Sequence, residues 1–333
     1  MKLMVTGGAG FMGSSFIFQM LSGHPDWRIS CIDKLTYAGN LNSLSPLAGD
    51  PRFHFHQGDI ADPDFVRDVF EAEKPEIVVN FAAESHVDRS IEDPGLFVRT
   101  NVLGVSVLAE AALKAGVKRF HQVSTDEVYG ELPLDRPELL FYEDSPLRPS
   151  SPYSASKAAA DLLLLSFHRT YALDVTVSRS VNNYGPRQFP EKLIPLMITK
   201  ALADSPLPLY GDGLNVREWL HVSDHSSAVE LIMLKGEAGE VYNVGAGNGR
   251  SNLEVTKNVL SILAKSESLI SYARDRKGHD RRYAVDSGKL RRLGWRSAVS
   301  FPSGLEDTVN WYLGNRDWWQ DILSGEYRKR REL

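Results

Sequence analysis

Four short apolar runs mark the first half of the chain: Lys2–Thr6, Arg28–Asp33, and residues 76–82 and 117–123. The segments between them are long enough for helices. Aliphatic and β-branched runs alternating with helix-length segments predict a doubly wound parallel α/β sheet with crossover helices. A fifth run, 174–180, contains Val175-Thr176-Val177, and beyond it the chain becomes proline-punctuated, as in Asn182-Asn183-Tyr184-Gly185-Pro186. A lobe boundary near Asn182 follows. Residues 219–222 and 241–244 read as short strands that return to the first lobe, so both domains are discontinuous: 1–181 with 219–250, and 182–218 with 251–333 as a smaller C-terminal lobe. Two helical segments, 97–115 and 154–171, are apolar around most of their circumference, most plainly at Leu162-Leu163-Leu164-Leu165. A helix that only covers a sheet buries one stripe, so the second apolar face predicts a further partner.

The 333 residues are 42% hydrophobic and 24% charged, enough for a large core but too many for one minimal domain. A net charge of -5 gives no general attraction to nucleic acid or to an anionic membrane, so neither is an expected partner. Any bound phosphate must meet a local basic pocket. Cys31 is the one cysteine, which excludes an internal disulfide and a cysteine-rich zinc site; its apolar neighbours predict a buried strand thiol in a reducing cytoplasm. The N-terminus runs straight into a strand and a glycine turn, and no apolar run reaches spanning length, so a cytoplasmic protein is expected.

Strand Lys2–Thr6 leads into Thr6-Gly7-Gly8-Ala9-Gly10-Phe11-Met12-Gly13, which reads as G-x-x-G-x-x-G and, from Gly8, as G-x-G-x-x-G. Glycines there let the backbone turn sharply and approach a pyrophosphate at a helix N-terminus, although a plain structural turn could use them too. Asp33 ends the next strand. Its carboxylate can accept from the adenosine ribose hydroxyls and would repel a 2′-phosphate, so NAD is expected over NADP, with the neighbouring Lys34 as a counterweight. Gly58-Asp59-Ile60 and Phe81-Ala82-Ala83-Glu84-Ser85 follow predicted strands, where ligands of such sheets lie, and Asp59 is expected at the adenine.

Tyr153-Ser154-Ala155-Ser156-Lys157 sets Tyr153 and Lys157 one helical turn apart, on one face. An ammonium nearby favours the phenolate and makes tyrosine a base near neutral pH; alone, the pair also fits an exposed tyrosine and lysine. Ser124-Thr125-Asp126-Glu127-Val128-Tyr129-Gly130 puts two adjacent carboxylates at a strand end. They read either as an acid and a base in different environments or as an acidic turn.

With the glycine turn, these residues resemble the extended short-chain dehydrogenase/reductases over nearly the whole chain. Ser124–Gly130 read as Ser-Thr-Asp-Glu-Val-Tyr-Gly is similar to the dTDP-glucose 4,6-dehydratase family. So are Asp33-Lys34-Leu35-Thr36-Tyr37-Ala38-Gly39-Asn40, Ala82-Ala83-Glu84-Ser85-His86-Val87-Asp88-Arg89-Ser90 and Pro190-Glu191-Lys192-Leu193-Ile194-Pro195. Simple sugar-nucleotide epimerases lack the carboxylate pair. The resemblance implies a Rossmann-type fold and a lyase that converts a nucleotide-activated hexose, dTDP-glucose first, to its 4-keto-6-deoxy derivative. In it Tyr153 takes the C4 hydroxyl proton, Thr125 bonds that hydroxyl, Lys157 holds the nicotinamide ribose, Glu127 is the base at C5 and Asp126 protonates the departing C6 hydroxyl.

The implied NAD contacts in the first turns are Gly7, Gly10, Phe11, Met12, Gly13, Asp33, Lys34, Leu35 and Thr36. Further on they are Asp59, Ile60, Phe81, Ala82, Ala83, Ser85, Thr100, Tyr153, Lys157 and Asn183. A diphosphate calls for arginine forks, for which Arg217 and Arg276 are the candidates. Ser85, Thr125, Asn182, Glu191, Lys192 and Leu193 are implied as substrate contacts, and beside them Pro208, Tyr210, Asn252, His279 and Tyr283. Lys277 departs from the proline usual in the family between that arginine and the glycine. His279 has no partner at zinc-ligand spacing, so no metal is expected. In this family the two apolar helices pair across a homodimer, which is expected here through 97–115 and 154–171. A UDP- or CDP-sugar dehydratase, a 4-epimerase and a non-catalytic NAD sensor remain as alternatives.

Overall fold

The computed structural model describes residues 1–275 and 280–329. Arg276, Lys277, Gly278 and His279 lie outside the described residues, and with them the expectations for Arg276 and His279. The five runs become strands β1 (Lys2–Thr6), β2 (Arg28–Asp33), β4 (Ile77–Asn80), β5 (Arg119–Thr125) and β6 (Val175–Ser180), and a further strand, β3 (Phe53–Gln57), lies between β2 and β4 in the chain. Then follow β7 (Asn182–Tyr184), β8 (Leu207–Tyr210), β9 (Val216–His221), β10 (Glu240–Val244), β11 (Gly249–Ser251) and β12 (Ile270–Ala273).

Seven of these form one parallel sheet in the order β10-β6-β5-β4-β1-β2-β3. Both of its faces are covered, which is why its central strands read as unbroken apolar runs. Alternate side chains divide between the faces. Met4, Ile32 and Val78 pack under the helices Pro63–Glu73, Gly104–Ala115 and Pro152–Tyr171, while Leu3, Val5 and Cys31 pack under Phe11–Gly23 and Val222–Lys235. Strand order reverses between β1 and β4, and the crevice beyond their carboxyl ends is where such sheets take ligands. The edge strand β3 escaped the sequence pattern because Phe53-His54-Phe55-His56 alternates instead of running apolar.

Of the two strands expected to return to the first lobe, only the second joins its sheet. Strand β9 pairs with β7 (Asn182↔Trp219) and with β11 (Arg250↔Arg217) in a small three-stranded sheet. The chain crosses back at His221, through helix Val222–Lys235 and then β10. The second lobe adds the pair β8 and β12 and a core of Ile194, Met197, Ile198, Val255 and Val309.

The helix Pro152–Tyr171 starts two residues before the apolar pattern, because Ser151 and Ser154 form a capping box and Pro152 occupies the first turn. Residues Pro94–Ala115 form a continuous run whose middle, Val98–Leu103, is π-helical. This run of 22 residues is long and apolar enough to cross a membrane, contrary to the sequence expectation that no segment was. One side of it is core: Phe97, Val105, Leu108, Ala109 and Ala112 are buried. Its other side exposes Leu96, Val98 and Leu103, and the second apolar helix exposes Leu162 and Tyr171.

Candidate active site

The carboxyl ends of the central strands open into a cavity of about 310 Å³. Its floor is the turn after β1. Gly7 has φ +70, and a Cβ there would lie 2.6 Å from the backbone nitrogen of Ala82; one at Gly13 would collide with the Gly7 carbonyl. Only glycine allows strand, turn and helix to close this tightly, and Gly10, Phe11 and Met12 then bring a helix N-terminus to the cavity. Asp33, 9% exposed at the end of β2, accepts from the N–H of Ala9 at 2.9 Å and of Leu35 at 2.8 Å. Burial pushes its pKa up, and these two N–H groups pull it back. A carboxylate offers about four acceptor sites, so Asp33 keeps the capacity for two more donors.

Thr36, Asp59, Ile60, Phe81, Ala82, Ala83 and Ser85 also line this cavity, as does Thr100, which the π-helical turn presents. Asn101, next to it, bonds the Glu84 backbone at both N–H and carbonyl and donates to Ser156 Oγ at 2.8 Å, which ties that turn to the helix carrying Tyr153. Lys34 lines the wall too, with its ammonium 2.8 Å from Asp59. Leu35 does not. Its backbone turns in the left-handed region (φ 57) and serves Asp33, while its side chain packs against the core.

Strand β5 delivers Thr125, and the 3₁₀ turn Asp126–Tyr129 follows, its Glu127 N–H donating to Thr125 Oγ1 at 3.3 Å. Thr125, Asp126, Glu127, Tyr153, Lys157, Asn182 and Asn183 converge on the same cavity. Asp126 is 2% exposed, and its Oδ2 has no hydrogen-bond partner among the described residues. Burial, then the charges of Glu127 and Glu218, push its pKa well above the carboxylate range, against a smaller opposing effect of Arg217. The pair is therefore unequal: a buried carboxyl whose neutral form is favoured beside a half-buried one.

Lys157 donates to the Val123 carbonyl at 2.7 Å; burial lowers its pKa to about 8, and the Asp161 charge works the other way. Burial, reinforced by the charge of Glu127, raises the Tyr153 pKa far above its ordinary value, and the hydrogen bond with Thr125 only partly offsets this. The ammonium is spent on a carbonyl instead of on the phenol.

A second cavity of about 260 Å³ adjoins the first, and Ser85, Glu127, Asn182, Asn183, Gln188 and Lys192 line both. Glu191, Leu193, Pro208, Tyr210, Asn252 and Tyr283 line the second. Arg217 lines it as well: its guanidinium donates to the carbonyls of Asp280 and Val216 at 2.7 and 2.9 Å and lies 4.3 Å from the Tyr283 ring centre. Neutral carbonyls hold it in place without cancelling its charge. Glu84, Arg187, Gln188 and Trp318 line the first cavity and His86 the second, although none was singled out from sequence. Arg187 and Gln188 directly follow the Asn182–Pro186 motif and were within reach of it; Trp318 has no local signal.

The sequence pattern of the GDP-mannose 4,6 dehydratase family matches residues 4–308. The dTDP-glucose 4,6-dehydratase of Neisseria meningitidis is 47% identical over 99% of this chain and 98% of its own. DesIV, a dTDP-glucose 4,6-dehydratase of Streptomyces venezuelae solved with NAD and dTDP bound, superposes with a TM-score of 0.93 at 48% identity, covering 97% of this chain and 100% of that one. The UDP-glucose 4-epimerase of Thermotoga maritima follows at 0.88 and 31%, covering 95% and 100%. On fold, site and similarity together, the chain belongs to the dTDP-glucose 4,6-dehydratases of the extended short-chain dehydrogenase/reductase family.

Proposed function

We infer that this chain dehydrates dTDP-glucose to its 4-keto-6-deoxy derivative, with NAD as its cofactor. The observation that carries the reading is the unequal carboxyl pair, with Asp126 buried and its neutral form favoured, and Glu127 beside it where the two cavities meet. An epimerisation moves one hydride off and back and has no use for such a pair. NAD fits the first cavity because glycines at 7 and 13 let the turn close so that the N-terminus of helix Phe11–Gly23 faces the cavity, and because Asp33 keeps acceptor capacity for ribose hydroxyls. When bound, it supplies the hydride acceptor for C4, the donor for C6 and a cationic ring in the cavity.

The chain's own residues move the protons. Tyr153 takes the proton of the C4 hydroxyl, which Thr125 holds, and the high pKa of the buried phenol means that this step needs a cation nearby. The new C4 carbonyl acidifies the C5 hydrogen. Glu127 removes it, and Asp126 hands its proton to the C6 hydroxyl, which leaves as water. Lys157 and Asn183 belong with the cofactor; Arg217, Lys192, Asn182 and Tyr283 belong with the nucleotide and sugar. The cofactor unit is 1–181 with 222–250 and the substrate unit the remainder, the break falling after His221 because β9 belongs to the small sheet.

The exposed Leu96, Val98, Leu103, Leu162 and Tyr171 support a homodimer through the two apolar helices, and the free thiol of Cys31 fits a reducing cytoplasm. Light scattering at micromolar protein should give twice the chain mass, and a monomer mass refutes this. Incubation with dTDP-glucose, followed by mass spectrometry, tests the activity: the product should have lost water and absorb in alkali, whereas an unchanged mass would point to an epimerase.

A further inference from the structure

Arg179, on β6, is 3% exposed and binds two elements at once. Its Nε donates to Asp161 Oδ2 at 2.9 Å, and Asp161 is fully buried one helical turn beyond Lys157. Its Nη1 donates to the Tyr129 hydroxyl at 3.0 Å, which in turn donates to Asn243 on β10 at 2.7 Å. Tyr129 closes the 3₁₀ turn that bears Asp126 and Glu127, and its ring stacks on Phe141 at 5.0 Å. The β5 ladder ends at Thr125, paired with Ser180, so the sheet does not hold the turn that follows. A buried ion pair is weak support for stability, since apolar residues of like volume often serve as well, whereas a planar fork fixes the relative position of whatever it bonds.

We propose that Arg179 is a positioning residue for the elimination half of the reaction: through Tyr129 and Asp161 it holds the turn carrying Asp126 and Glu127 in register with the helix carrying Tyr153 and Lys157. The proposal rests on the dehydratase reading. Thr125 and Tyr153, which serve the oxidation, are held by the sheet and by a long helix; the turn with the two carboxyls is held by Val128, buried and bonded through its carbonyl to the Arg148 N–H, and by Tyr129 on the fork.

Tyr129→Phe keeps the ring and its stacking on Phe141 and removes only the hydroxyl. On rapid mixing with dTDP-glucose, the rise in reduced-nicotinamide absorbance should keep its rate within about threefold while keto-deoxy product forms roughly tenfold more slowly, as a small misplacement of reacting groups implies. Arg179→Lys retains the cation beside Asp161 but lacks the fork to reach both partners; it should give the same split and decides the matter if the first variant does not fold. A merely structural role would lower both rates together or the active fraction alone, and either outcome, or no change at all, overturns the proposal. Failure of the dehydratase reading is separate, because it would already be visible as no dehydration by the unaltered enzyme.

Discussion

Asp126→Asn separates the acid from its scaffold. Burial at 2% exposure, with one oxygen unpartnered among the described residues, favours the neutral form of this carboxyl, so a neutral amide of the same size suits the site. Folding should tolerate the change, but donation to the C6 hydroxyl should not: loss of a positioned general acid costs roughly 10²–10⁴-fold, or about 3–5 kcal/mol of barrier. The same protonation has a signature in stability. Because the folded state binds the proton more tightly than the unfolded state, stability of the parent falls as pH rises above the ordinary carboxylate pKa, by up to about 1.4 kcal/mol per pH unit until the raised folded value is reached. The amide lacks this loss. Denaturant unfolding at about pH 4 and about pH 7 should therefore show a stability difference that moves in favour of Asp126→Asn as pH rises, with rapid-mixing kinetics showing intact oxidation and slow elimination. A variant less stable than the parent by a margin independent of pH would mean that Asp126 is ionised in the fold, and the acid role would fall with it.

Glu127→Gln should lose roughly a hundredfold or more in overall rate yet still build up reduced-nicotinamide absorbance and an undehydrated 4-keto sugar; Tyr153→Phe should show neither signal. Equal loss of oxidation in both would remove Glu127 from the role of C5 base. Asp33→Ala should narrow the preference for NAD over NADP in a direct binding titration, and tighter NADP binding by the unaltered protein would contradict the reading of that carboxylate. The same substitution strips the partner from the Ala9 and Leu35 N–H groups, so unfolding of the variant should be easier by about 1–3 kcal/mol for each donor left dry.

Much of the site was readable from local spacing. The glycines after β1, Asp33 at the end of β2 and the Tyr153–Lys157 turn are short-range patterns whose geometry hardly depends on the rest of the chain. What was not readable comes from distant segments. The proton affinity of Asp126 depends on burial and on Glu218 of β9, the raised pKa of Tyr153 comes from burial and the charge of Glu127, and Lys157 bonds the Val123 carbonyl. Sequence alone offers no hint that Trp318 reaches the cofactor cavity. Strand β9 was assigned to the wrong sheet for a similar reason, since a short run shows that it is a strand but not what it pairs with. The apolar run Pro94–Ala115 was underrated because Arg99 and Asn101 interrupt it in sequence, whereas its length becomes plain only as a continuous helix.

The most direct test of the central claim is turnover of dTDP-glucose by the unaltered protein in deuterated water, followed by mass spectrometry and NMR of the product. Elimination across C5 and C6 removes the C5 hydrogen to Glu127 and refills that position from solvent. The account predicts a 4-keto-6-deoxy product lighter by water and carrying solvent deuterium at C5. Recovery of a hexose that has kept both its oxygen at C6 and its original hydrogen at C5 would contradict it.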